Sequence, residues 1–291
     1  MPRFLLVNPW IHDFAAFNLW MRPLGLLSLH WYLRHAGCAV DYLDCLRLTR
    51  NEAGRYGLTR PGVGTYGTGK IYRGPIDKPP IYQDIPRYYH RFGVPPPVLS
   101  DRLREIVPPD AILMTSGMTY WYPGVRETAD ALKATFPDIP LYLGGVYATL
   151  CPEHAREHSG TDRVIAGPWE GCIGELLGEL GGRPAVGDVQ EEPLVANDLY
   201  GERGFAVMRF TRGCPFHCEY CASDRLSEGF RPREPDAIVR EIRWNVRGGR
   251  PDIALYDDAL LVGAERTLIP VLRTLLREGV DCRFHCPNGL H

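Results

Sequence analysis

Short apolar runs, each opening into a turn of small residues and then into a stretch with helical punctuation, recur through the first 180 residues and restrict the chain to an α/β architecture. Arg3 to Asn8 (RFLLVN) is strand-length, apolar and stopped by Pro9, the pattern of a buried strand entering a loop. Pro23 to Ala36 starts on proline and is followed by Gly37, the end-residue asymmetry of a helix. Ala39 to Asp44 supplies the next strand, and strand, helix, strand in this order implies parallel pairing. The pattern returns at Ala111 to Ser116, Leu141 to Gly144 and Arg163 to Ala166, with helices expected to reach Phe136 and to run over about Gly171 to Leu180. Five strands alternating with helices predict a doubly wound, flavodoxin- or Rossmann-like parallel sheet over residues 1–180.

Residues 47–97 break the rhythm with clustered glycine, tyrosine and proline, and read as an insertion. Within it, Gly64 to Lys70 has the G-x4-G-K spacing of a phosphate loop, but Ile71 replaces the hydroxyl residue that would hold magnesium and no strand precedes it. A glycine-rich surface loop is the better reading.

Ligands of such sheets bind beyond the carboxyl ends of the strands. The loops there are Ser116-Gly117-Met118-Thr119, Gly144-Gly145-Val146-Tyr147-Ala148-Thr149 and Gly167 to Glu170. Their glycines suit either a close ligand approach or tight strand-to-helix turns.

Residues 181–204, with Pro184, Pro193 and Glu191-Glu192, lack periodicity and read as a linker. From residue 205 the order is strand (Ala206 to Thr211), a cysteine-rich loop, helix (about Asp236 to Val246), strand (Ile253 to Tyr256), helix (about Glu265 to Arg277) and strand (Arg283 to His285). This is the opening half of a parallel (β/α) barrel, whose working residues follow the strands' carboxyl ends. Asp257 and Asp258 follow one strand and Pro287-Asn288-Gly289 another. The acidic pair can serve chemistry or cap the next element. Cys282 and Cys286 bracket a strand without further partners and read as core packing.

The loop itself, Cys214-Pro-Phe-His-Cys218-Glu-Tyr-Cys221, follows Gly213. Three thiolates can hold three irons of a four-iron cluster and leave the fourth open, whereas full ligation takes four. The alternative is zinc with His217 as fourth ligand, although His217 and Cys218 are neighbours that do not readily reach one tetrahedral ion together.

Lysine and arginine number 33 against 35 acidic residues, a formal charge of −2. No strong field recruits nucleic acid or an anionic membrane, and the arginines between Arg203 and Arg250 read as a solvated face. No apolar run approaches the roughly 18 residues of a membrane span, and no leader pattern opens the chain. Nine cysteines, an odd number, suit a reducing cytoplasm better than a disulfide framework.

Cys-x3-Cys-x2-Cys with Tyr220 before the last cysteine resembles the cluster loop of radical S-adenosylmethionine (SAM) enzymes. The resemblance implies a [4Fe-4S] cluster on Cys214, Cys218 and Cys221 as metal ligands, SAM chelated at the open iron, Tyr220 beside the adenine and Asn288 as a further SAM neighbour. It implies Asp257 and Asp258 facing cofactor or substrate as catalytic residues, and an electron donor such as flavodoxin or ferredoxin. With a doubly wound sheet upstream, the chain is similar to the cobalamin-binding members: Asn8-Pro9, Pro23-Leu-Gly-Leu26, Thr119 to Gly124, Gly144 to Thr149 and Pro152-Glu-His154 look like their amino-terminal half. That likeness implies cobalamin over the strand ends, touching Ser116, Gly117, Met118, Thr119, Gly144, Gly145, Tyr147, Ala148 and Thr149. The Asp-x-His-x-x-Gly motif that gives cobalt a histidine elsewhere is absent, so no cobalt ligand is assigned.

The implied activity is reductive cleavage of SAM followed by methyl transfer, or another radical modification, on a small organic substrate. The family's barrel has six strands and three are counted here, which leaves a fragment of a longer reading frame, a split protein completed by a complementing chain, or an inactive remnant as the expectations. A non-catalytic zinc- or corrin-binding module is the alternative.

Overall fold

The computed structural model describes residues 1–183, 194–201 and 204–289. It separates into two compact units, one comprising Met1–Asn18, Leu33–Val63 and Gly69–Val186, the other Leu19–Tyr32, Gly64–Thr68 and Gly187–His291. Of the expected linker, residues 184–193 and 202–203 lie outside the described residues, as do 290–291 at the end of the barrel pattern.

The first unit is built on a five-stranded sheet in the order Arg163–Val164, Leu141–Leu143, Ala111–Met114, Arg3–Asn8, Ala39–Asp44. Every pairing is parallel. Phe4, Leu5, Leu6 and Val7 are buried without exception, as a strand covered on both faces requires. Leu5, Val7, Ile112, Met114, Leu141 and Leu143 share one core with Val125, Ala129 and Leu132 of the Tyr122–Thr135 helix. Each such aliphatic side chain contributes about 1.5–3 kcal/mol when removed from water. The chain winds outward on one side of Arg3–Asn8 and then, from Ala111–Met114, on the other. The switch point of the doubly wound sheet therefore falls between these two strands.

Residues 47–97 are more ordered than an excursion. Thr49 and Glu52 form a reciprocal capping box that starts the Arg50–Arg55 helix. Arg73–Ile76 and Tyr89–Phe92 join Ile11–Asp13 in an antiparallel sheet of three. Gly69–Lys70 is a short strand paired with Phe17–Asn18, and Arg73–Ile76, a strand, comes next where a phosphate loop needs a helix.

The second unit carries three parallel strands in the order Phe205–Met208, Asp252–Leu255, Arg283–His285. The Pro235–Arg247 and Leu268–Arg277 helices connect them, giving the expected opening of a barrel. Ala206, Met208, Ile253 and Leu255 pack against Ile238, Ile242, Val271 and Leu275 of those helices. By strand alternation Phe205, Asp252, Arg283 and His285 belong to the other face. There Asp252 takes two hydrogen bonds from Arg283, at 2.7 and 2.6 Å, and one contact from His285 Nε2 at 2.9 Å, and Trp20 stacks on His285 at 3.8 Å. Trp20, at φ 67°, is the one non-glycine residue with positive φ among those described. The Tyr256 hydroxyl holds it there, donating to the Trp20 carbonyl and accepting from the Arg22 N–H. Among the described residues no helix is long and apolar enough to cross a membrane.

Candidate functional site

The strand expected over Ala206 to Thr211 stops at Met208, and Thr211–Arg212 instead pairs antiparallel with Arg231–Pro232. The cause is Asp257. Its carboxylate accepts the N–H groups of Phe210 (3.0 Å) and Thr211 (2.6 Å) and the Thr211 hydroxyl (2.7 Å), so these donors are lost to the ladder. The Thr211–Arg212 and Arg231–Pro232 ribbon bounds the cysteine loop at both ends.

Gly213 makes the turn into that loop at φ 72°, and a Cβ there would collide with the Gly229 carbonyl. Only glycine meets both demands. Cys214 follows half-buried, while Cys218 and Cys221 are exposed. The Cys221 N–H closes a turn onto the Cys218 carbonyl at 2.9 Å. The Ser223 hydroxyl lies 3.2 Å from Cys221 Sγ and, with the Ser223 N–H, lowers the Cys221 pKa below the usual thiol value.

All nine cysteines are free thiols. Among the described residues no three His, Cys, Asp or Glu side chains converge closely enough to hold one metal ion. What the loop offers is a donor set: three thiols on an eight-residue span, one of them acidified, beyond a turn that admits no side chain. This suits an iron–sulfur cluster, whose ligands are thiolates. His217 is turned outward, with Nδ1 3.9 Å from Asp224.

Asp257 is buried, which pushes its pKa up, while the hydrogen bonds from Thr211 and Phe210 pull it back. The structure thus places Asp257 on the backbone that launches the loop. Asp258 is exposed at its surface; partial burial raises its pKa and a hydrogen bond with Ser223 opposes the rise. Tyr220 stands on the loop 92% exposed. Asn288 lies in the exposed turn after Arg283–His285, where the Gly289 N–H meets the Cys286 carbonyl at 3.1 Å. Cys282 and Cys286 pack against the second core. Ser223 went unnoticed in the sequence, where a hydroxyl two residues past the last cysteine is the only signal.

In the first unit, the loops after Ala111–Met114 and Leu141–Leu143 are bolted together. Ser116 is buried, donates to the Gly144 carbonyl at 2.6 Å and accepts the Ala148 N–H at 3.3 Å. Gly145, at φ 93°, comes so close that a Cβ would lie 2.5 Å from the Ser116 carbonyl oxygen. Thr149 bonds the Gly145 carbonyl and accepts the Gly167 N–H, and Gly117 lies under the Trp121 ring. Tyr147 and Ala148 are buried, with the Tyr147 hydroxyl 2.7 Å from His154 Nδ1. Their side chains belong to the core, so what these two positions can offer a ligand is main chain. Met118 is half exposed; Gly117, Thr119, Gly144, Gly145 and Thr149 are partly so.

No family model matches the chain. It is 26% identical over 206 residues to an uncharacterized methyltransferase of Pyrococcus horikoshii, covering 60% of this chain and 44% of that protein. It is 24% identical over 218 residues to the hopanoid C-3 methylase of Methylococcus capsulatus, covering 64% and 42%. The chain thus spans less than half the length of these relatives. Two solved structures of the radical SAM methyltransferase TsrM from Kitasatospora setae share its fold. One, with tryptophan substrate and a SAM analogue bound, gives a TM-score of 0.64 at 15% identity over 98% of this chain and 54% of that one. The other, with cobalamin and a [4Fe-4S] cluster bound, gives 0.62 at 16% over 97% and 53%. The resemblance read from Cys214–Cys221 and the sheet upstream therefore holds at the level of the fold, which over this chain's length is that of about half of a radical S-adenosylmethionine methyltransferase.

Proposed function

We propose that the chain is a radical SAM enzyme, or the part of one that holds the cluster and a corrin, and that it acts by methyl transfer or another radical modification of a small organic substrate. The observation that carries this reading is the Cys214, Cys218, Cys221 donor set after the first strand of a three-stranded parallel sheet. A cluster held there would supply the electron that cleaves SAM, and cobalamin would supply a methyl carrier.

The chain's own residues do the positioning in this reading. Gly213 and Asp257 fix the entry to the loop, Tyr220 presents an aromatic face to the adenine, and Asn288 offers a polar contact to SAM from the third strand's end. Asp258 is the carboxyl group left to face cofactor or substrate. Residues 1–180 form the corrin-binding part, with Ser116 to Thr119 and Gly144 to Thr149 at the strand ends. Residues 205–291 form the first half of the barrel, joined through 181–204. A flavodoxin- or ferredoxin-type donor, a cytoplasmic location and a complementing chain with the remaining strands belong to the same reading; nucleic acid does not.

Anaerobic reconstitution with iron and sulfide tests it. The expected product is brown, contains about four irons and four sulfides per chain, and gives a paramagnetic signal on reduction that changes when SAM is added. A colourless, zinc-containing protein would identify a zinc-binding module instead. Retention of added cobalamin on gel filtration tests the first unit separately.

A further inference from the structure

In the first unit, the Pro152–His158 helix carries His154 and His158, a spacing that puts two side chains next to each other on one helix face. Their ring centres are 4.2 Å apart. We propose that these two imidazoles form a site for a divalent transition ion of the zinc type, with Tyr147 as the residue that orients His154 behind it. The site uses nothing from the cysteine loop and stands apart from the cluster reading.

Two imidazole nitrogens bound to one ion at about 2.0–2.1 Å set their ring centres roughly 4.5–5 Å apart, so the pair needs only a small opening. His158 can supply it, since its side chain is 50% exposed and its Nε2 lies 3.7 Å from Glu157 Oε2, too far for a hydrogen bond. His154 is held more firmly. Its Nδ1 is 2.7 Å from the Tyr147 hydroxyl, and the Tyr122 ring meets it edge-on at 4.8 Å and lies 6.3 Å from His158. A histidine that binds metal through Nε2 carries its hydrogen on Nδ1, and the group accepting that hydrogen fixes the ring. The Tyr147 hydroxyl is placed to be that acceptor, on a side chain that is itself buried. Among the described residues no third His, Cys, Asp or Glu joins the pair, so water completes the coordination shell. Imidazole ligands favour zinc, copper and nickel over magnesium and calcium, which prefer oxygen.

The test is equilibrium dialysis against zinc at one fixed pH. The parent is the full chain carrying Cys214→Ser, Cys218→Ser and Cys221→Ser, so that the thiol loop does not take the ion, and His154→Gln, His158→Gln and Tyr147→Phe are made in it. Urea unfolding of the same samples, with and without zinc, reports the fold. The parent is expected to bind about one zinc per chain at micromolar free zinc and to unfold at higher urea when zinc is present, since an ion that binds the folded pair stabilises it. Each histidine variant should bind at least roughly tenfold more weakly, and Tyr147→Phe about tenfold more weakly, the usual loss when the group behind a ligand is removed. His158→Gln alters an exposed ring and should keep the zinc-free urea midpoint of the parent, which separates loss of the site from loss of the fold. No zinc retained by the folded parent, or binding equal to the parent's in any of the three variants, overturns the proposal.

Discussion

Thr211 gives both its backbone N–H and its hydroxyl to one oxygen of Asp257, at 2.6 and 2.7 Å. With Phe210 also donating, a buried carboxylate takes the place of a strand partner at the point where the chain leaves the sheet for the cysteine loop. Asp257→Ala would leave three buried donors without an acceptor, at about 1–3 kcal/mol each with partial relief by water. The expected loss is about 3 kcal/mol, seen as a lower urea midpoint for the second unit together with poorer iron uptake. A variant as stable as wild type would free Asp257 for a chemical role.

Gly213 and Gly229 lie beside each other at the base of the loop, both with positive φ, yet they differ in surroundings. A Cβ at Gly213 runs into the Gly229 carbonyl, whereas one at Gly229 meets nothing within 4 Å. Gly229→Ala therefore costs only the left-handed backbone penalty of about 1–2 kcal/mol. Gly213→Ala adds a collision with main chain and should displace the loop. Iron content after reconstitution is expected to fall severalfold in Gly213→Ala and to stay near wild type in Gly229→Ala. Equal iron content would mean that the loop's geometry does not depend on this turn.

Much of the fold was legible because its strands are buried on both faces, which forces continuous apolar runs such as Phe4 to Val7 and Ala111 to Met114. Residues 73–92 were not, since the Arg73–Ile76 strand contains Pro75 and is largely exposed, so neither apolar run nor alternation betrays it. The three cysteines proposed to hold the cluster were legible from spacing alone. The role of Asp257 was not, because its partners stand 46 and 47 residues away in sequence. The burial of Tyr147 and the contact of its hydroxyl with His154 were likewise not legible from the composition of its loop.

Stability in acid should depend on Glu52. Burial alone would raise its pKa, but hydrogen bonds from Arg102 and Thr49 bring it down to about 2, below the ordinary 4.5. A folded-state value below the unfolded one gives stability that is fully present above about pH 4.5 and is lost as pH falls towards 2. Discounted for screening at its partly exposed side chain, the contribution is about 1–2 kcal/mol. Glu52→Gln should lower the urea midpoint of the first unit at pH 7 and flatten its dependence on pH between 4.5 and 2. An unchanged acid slope would show that the Arg102 pair contributes nothing net.

Whether the first unit receives a corrin can be tested apart from its folding, because Ser116 and Met118 are neighbours in one loop with opposite surroundings. Ser116 is buried and joins the two strand-end loops through Gly144 and Ala148; Ser116→Ala removes the acceptor of a buried N–H and the donor to a buried carbonyl, at about 1–3 kcal/mol. Met118 is 47% exposed, so Met118→Ala changes stability by about 0.5 kcal/mol or less. If these loops receive cobalamin, both variants should retain less of it than wild type on gel filtration, but only Ser116→Ala should also unfold at lower urea. Cobalamin retained equally by wild type and Met118→Ala would remove the side chain best placed to touch it, and retention lost only with stability would mean that the loops matter to the fold and not to the ligand.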